Sequence, residues 1–171
     1  GMFDEGRWFG RGERARAYDA GGGWRIGILV CEDLWHPALG YLLAADGAHL
    51  LVVQSAAAGR GSWAGGETGG RFASWPAWEH LARAAAVAYG VYVVVANRVG
   101  TEGPCVYAGG SMIVGPGGDL IARADDLAED RLTAELSLDA VAAARRPFAH
   151  ARDDDPRLVH RELARLMAER G

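Results

Sequence analysis

One apolar run constrains this chain more than any other feature. Trp24-Arg25-Ile26-Gly27-Ile28-Leu29-Val30 follows three glycines and stops at Cys31. Its apolar residues are nearly continuous, as in a strand covered on both faces. A helix pattern follows at once. Pro37 suits a first turn, Leu39, Leu42 and Leu43 recur at helical spacing to Asp46, and Gly47 suits the position after the last turn. His49 to Gln54 is a second apolar strand. Strand, helix and strand in that order predict an α/β layered domain.

The alternation continues. Ala56 to Gly70 is rich in Gly, Ala and Ser and reads as an irregular surface loop. Ser74 suits a helix cap with Pro76 in the first turn. Trp78, Leu81, Ala82, Ala85 and Tyr89 give that helix one apolar face, and Gly90 ends it. Val91 to Ala96 is a third buried strand. Ser111–Val114 and Leu120–Ala122 flank Gly115-Pro116-Gly117-Gly118, which predicts a hairpin. Arg131 to Ser137 reads as a further strand. Asp155-Pro156 starts a last helix, expected to turn Leu158, Val159, Leu163, Leu166 and Met167 inward. Met2 to Gly12 matches no element, yet it carries more apolar surface than a free tail should.

The 171 residues fit one domain, since chains run to about 100–200 residues per domain. A formal charge of −4 supplies no basic field for nucleic acid or an anionic membrane. No apolar run reaches the roughly 20 residues of a membrane helix. With two distant cysteines and no leader pattern, a reducing cytoplasm is the expectation. All 18 basic residues are arginine, so the chain has no lysine.

Cys31 ends a buried strand just before a helix start. A side chain there stands exposed on a rigid base at the carboxyl edge of a sheet. A nearby helix N-terminus stabilises a thiolate, and the following N–H can face an oxyanion. A small buried core residue is the other reading, because free cysteine is often buried. Position alone leaves both open. Cys105, in a Gly/Pro loop, has no such setting.

Val30-Cys31-Glu32-Asp33-Leu34-Trp35-His36-Pro37 resembles the nucleophile segment of the nitrilase, or carbon–nitrogen hydrolase, superfamily. Gly1 to Phe9 resembles the segment after that family's catalytic lysine. Arg83-Ala84 with Tyr92 to Gly100 resembles its "RA…yvv.aN..G" stretch, and Gly109 to Gly118 its "GxSxIxxPxG" hairpin. Four such motifs stand in the family's order. The resemblance implies an αββα sandwich that hydrolyses a non-peptide C–N bond of an amide, a nitrile or an N-carbamoyl compound. It also implies a Glu–Lys–Cys site and a second glutamate that orients the lysine.

By that resemblance Cys31 is the nucleophile, Glu5 the lysine-orienting glutamate, and the N–H of Glu32 an oxyanion donor. Asp33 is expected to hold the elbow in shape. The resemblance also implies a homodimer or larger homo-oligomer. The family's general-base glutamate and its lysine have no counterpart here. The chain is therefore expected to be the C-terminal part of a longer enzyme, inactive alone. Arginine is a poor substitute, since it does not release a proton near neutral pH.

Leu34 and Trp35 stand where some relatives that bind substrate carboxylates carry arginine, which argues against N-carbamoyl amino acids. Cys31 to Trp35 also resembles the glutaminase domains of NAD synthetases, so glutamine-type amides remain open. No cofactor is implied. His150 and His160 lack metal-ligand spacing, so no metal site is expected. His36 reads as a polar cap contact and His80 as surface. Trp63, Trp75 and Trp78 suit an apolar pocket or a neighbouring subunit. Two rival readings are a Cys-elbow α/β-hydrolase, with Asp125, Asp126 and His150 as partners, and a non-catalytic relative that works by binding or assembly.

Overall fold

The computed structural model describes residues 5–60, 63–66, 69–72, 74–147 and 150–170. In chain order the strands and helices are β1 (Ala17–Gly21), β2 (Trp24–Val30), α1 (Pro37–Ala45), β3 (Leu50–Ser55), β4 (Trp63–Gly66), β5 (Gly69–Phe72), α2 (Trp75–Tyr89), β6 (Tyr92–Asn97), β7 (Val99–Glu102), β8 (Cys105–Ala108), β9 (Met112–Val114), β10 (Leu120–Arg123), α3 (Leu138–Arg145), α4 (His150–Asp153) and α5 (Pro156–Arg170). Six strands form one mixed sheet in the order β1-β2-β3-β6-β9-β10. β2, β3 and β6 run parallel in its centre, and antiparallel strands close both sides.

Register sorts the side chains into two faces. Gly27, Leu51, Val93 and Val114 stand in one row, and Leu29, Val53, Val95 and Met112 in another. These residues meet Leu43 of α1 and Trp78, Ala82 and Ala86 of α2 in the core. Each fully buried Leu or Val of this kind contributes about 1.5–3 kcal/mol. Gly27 must be small, because a Cβ there would lie 2.9 Å from Leu43. The opposite face carries the row Ile28, Val52, Val94 and Ile113. It is open at the β2 end, where Ile28 is 51% and Val30 56% exposed. A sheet and one helical layer are thus present, two of the layers of the expected sandwich.

The main strands and helices lie where the sequence places them. Gly90 ends α2 in the left-handed region at φ 57°, and Gly118 N–H closes the β9–β10 turn onto Gly115 O at 2.8 Å. The expected strand Arg131–Ser137 is absent. Extended chain there has no ladder partner among the described residues. Instead Ser137 N–H donates to Tyr92 Oη, and Ser137 Oγ caps α3, a helix that the sequence pattern does not announce.

The α5 face does not turn inward. Leu158, Val159, Leu163, Leu166 and Met167 are all exposed, because no described element packs on them. Asp155 does cap α5, accepting from Arg157 and Leu158 N–H. Ser74 precedes α2 without a side-chain cap, and its Oγ accepts from Arg60 N–H instead. The stretch Ala56–Gly70 is more regular than expected, since β4 pairs with β5. Its two strands are glycine-rich and lack β-branched residues, so they give no strand signal. Of the opening segment, Met2 to Asp4 lie outside the described residues. Glu5–Arg7 form one 3-10 turn, with Trp8 and Phe9 exposed after it. Among the described residues no helix is long and apolar enough to cross a membrane.

Candidate active site

β2, β3 and β6 end together at their carboxyl edge. Val30 pairs with Gln54 and Gln54 with Ala96, so Cys31, Ser55 and Asn97 follow one step beyond. Open α/β sheets bind ligands at this edge. Cys31 adopts φ 47°, a left-handed conformation that few non-glycine residues take. There the chain leaves the strand and enters a 3-10 segment, Cys31–Trp35. Val30 N–H donates to Asp33 Oδ2 at 2.8 Å, so Asp33 closes the turn, as expected of it. Leu34 anchors the turn in the core.

Two polar residues brace the edge. Ser55 is 6% exposed, and its hydroxyl donates to Cys31 Sγ at 3.3 Å. Asn97 accepts Ala57 N–H at 2.8 Å and donates from Nδ2 to Gly109 O at 2.9 Å. Its own N–H donates to Ser111 Oγ at 2.9 Å. The Asn97 and Ser111 motifs are therefore one structure, which ties the ends of β3, β6 and β8 together. Sequence reasoning misses Ser55. Its signal is a serine ending a strand whose partner strand ends in cysteine, and that needs the register to be seen.

The three expected site residues are only partly brought together. Cys31 and Glu32 share the turn, with Cys31 half-buried and the Glu32 side chain exposed. Glu5 lies in the exposed 3-10 turn, where its carbonyl accepts Trp8 and Phe9 N–H. Among the described residues no hydrogen bond or ion pair joins its carboxylate to Cys31. His36 makes no side-chain cap bond to α1. It is exposed and borders a cavity of about 150 Å³ with Leu29, Leu34, Gly40 and Tyr89. His80 and His160 are exposed, while the His150 side chain lies outside what the structure describes. Cys105 is half-buried at the start of β8.

The tryptophans settle differently from expectation. Trp75 and Trp78 are both buried within this chain. Trp78 meets Trp35 edge-on at 5.8 Å, and the Arg123 guanidinium lies over Trp75. The Trp63 side chain is outside what the structure describes. Two groups with displaced titration stand at the sheet's other end. Burial, with Arg145 and Arg25 nearby, lowers the His49 pKa, and burial lowers that of Arg145. Among the described residues no cluster of three metal-ligating side chains occurs.

The family model for carbon-nitrogen hydrolases matches residues 2–146. The omega-amidase YafV of Escherichia coli (strain K12) is 34% identical over 139 residues, covering 78% of this chain and 46% of the relative. The crystal structure of a carbon-nitrogen hydrolase from Helicobacter pylori G27 superposes with TM-score 0.78 at 26% identity, covering 93% of this chain and 56% of that one. A mutant of the amidase from Nesterenkonia sp. AN1 superposes with TM-score 0.65 at 30% identity, covering 91% and 51%. That structure shows the result of Michael addition of acrylamide at its active-site cysteine. The chain spans about half the length of the curated amidase it matches here. Motif order, sheet topology and these likenesses agree, and the chain belongs to the carbon-nitrogen hydrolase family.

Proposed function

We propose that the whole protein is an amidase that works through Cys31. The observation that carries this reading is the left-handed backbone of Cys31 at the carboxyl edge of the sheet, within a carbon-nitrogen hydrolase match. The Cys31 sulfur attacks the carbonyl carbon of an amide. The oxygen takes the negative charge and the N–H of Glu32 donates to it. The C–N bond then breaks, the amine leaves with the proton of the thiol, and a thioester remains. Water cleaves the thioester, giving the carboxylic acid and the free thiol.

The proton transfers need a base, and the oxyanion gains from a cation. By the family resemblance these are a glutamate and a lysine, with Glu5 orienting the lysine. Residues 1–171 contain no lysine. On this reading they do not turn over amides by themselves. Assembly of two or more copies belongs to the same reading and rests on the resemblance alone.

The test uses the whole protein, with whatever sequence flanks these residues, and a panel of small primary amides. Ammonia release should occur in the native protein and vanish in Cys31→Ala. Intact mass after a slow substrate should show an acyl increment on the Cys31 peptide. Turnover retained by Cys31→Ala would overturn the reading, as would failure on every amide with Cys31 no more reactive than Cys105.

A further inference from the structure

We propose that Ser55 is a positioning residue for Cys31, holding the sulfur in its attacking position through the hydroxyl hydrogen bond. The proposal rests on the reading of Cys31 as the nucleophile. It adds a residue to that site which neither the motifs nor the resemblance supplies.

The geometry has fixed ends. On one side, φ 47° at Cys31 and the Asp33 bond to Val30 N–H set where the Cys31 Cβ points. On the other, Ser55 is the last residue of β3. Its carbonyl accepts Arg98 N–H at 2.9 Å, and Ala57, two residues on, is held by Asn97. The backbone carrying the hydroxyl therefore cannot swing away. Between these ends Ser55 Oγ donates to Cys31 Sγ at 3.3 Å, the side-chain bond this buried hydroxyl makes. A buried hydroxyl without a partner is unfavourable, so the bond persists.

The direction of donation matters. An O–H can donate to a thiol sulfur, and it donates more strongly to a thiolate because that bond is charge-assisted. Ser55 therefore favours the anionic sulfur and selects the Cys31 rotamer that points to β3. A core serine placed for packing alone would do neither.

The test reads thiol reactivity in the whole protein, with iodoacetamide as probe and peptide mass spectrometry resolving Cys31 from Cys105. Rates are taken from pH 5 to pH 9 for the native protein, Ser55→Ala, Ser55→Thr and Ser55→Val. Thr and Val are nearly isosteric, so that pair isolates the hydroxyl even if Ser55→Ala folds poorly. In the native protein Cys31 should outpace Cys105. In Ser55→Ala and Ser55→Val the Cys31 rate at pH 7 should fall about three- to tenfold, the scale of one ordinary net hydrogen bond. Cys105 should be unaffected, and Ser55→Thr should keep the native profile.

Equal Cys31 profiles for the Thr and Val variants would overturn the role of Ser55 while leaving the nucleophile reading intact. Equal slowing of both thiols would do the same, since it marks a purely structural residue. Native Cys31 no faster than Cys105 would sink the nucleophile reading, and this proposal with it.

Discussion

The Asp33 carboxylate accepts the backbone N–H of Val30 at 2.8 Å, across the residue that carries the thiol. A short acidic side chain three residues after the strand's last residue thus closes the turn. Asp33→Ala should destabilise the whole protein by about 1.5–3 kcal/mol, the worth of a hydrogen bond to a charged group. Asp33→Asn keeps an acceptor and should lose less. Urea unfolding measures both. The same variants should slow alkylation of Cys31 in that order, since the turn sets where the sulfur stands.

Asn97 serves three segments with one amide side chain and its own N–H. Asn97→Ala strands Ala57 N–H and Gly109 O together and should lose about 2–4 kcal/mol. Asn97→Asp keeps the acceptor for Ala57 but turns an oxygen towards Gly109 O. It should fall between alanine and the native protein. Shifts of the urea midpoint at constant slope would check the order.

Two glycines with similar backbone should respond differently. Gly110 has φ 60°, and a Cβ there would lie 1.7 Å from the Trp75 ring. Gly22 has φ 58°, and its nearest neighbour would be Trp24 at 3.9 Å. Gly22→Ala should lose about 1–2 kcal/mol from the left-handed conformation alone. Gly110→Ala adds overpacking of about 1–3 kcal/mol to that strain. Thermal unfolding of the two variants side by side tests how closely the indole approaches residue 110.

His49 makes stability depend on pH. Its Nδ1 accepts Arg25 N–H at 3.2 Å, so the neutral ring is the one that fits. Burial first, then the charges of Arg145 and Arg25, hold its pKa below the ordinary 6.5. The unfolded chain therefore binds a proton at higher pH than the folded one. The contribution is fully present above pH 6.5 and is lost as pH falls through the lowered folded value. His49→Asn keeps an acceptor near Nδ1 but does not titrate. Between about pH 7.5 and pH 5 its urea midpoint should fall less than that of the native protein. Parallel curves would refute this.

The sequence speaks clearly where one side chain carries one message. The apolar runs of β2, β3 and β6, the glycines ending α1 and α2, and the Gly115–Gly118 turn are local signals, and the structure has each of them. It speaks poorly where the answer depends on a distant partner. Arg131–Ser137 alternates like a strand but finds no strand to pair with among the described residues. α5 has the stripe of a packed helix and nothing described beneath it. β1, β7 and β8 are only four or five residues long, and they exist because a neighbour offers a ladder. In the candidate site, Cys31 and Asp33 are legible because the turn is local. Ser55 is not, because its meaning depends on the register between β2 and β3.

The left-handed backbone at residue 31 also bears on stability. Glycine would occupy φ 47° with no steric strain, whereas cysteine carries about 1–2 kcal/mol of it. Cys31→Gly would relieve that strain but strip the buried Ser55 hydroxyl of its acceptor, a loss of similar size, so its melting temperature should stay close to the native one. Selection for thermal endurance alone would therefore be nearly blind to this sulfur, and only a screen that reads the thiol itself would keep it.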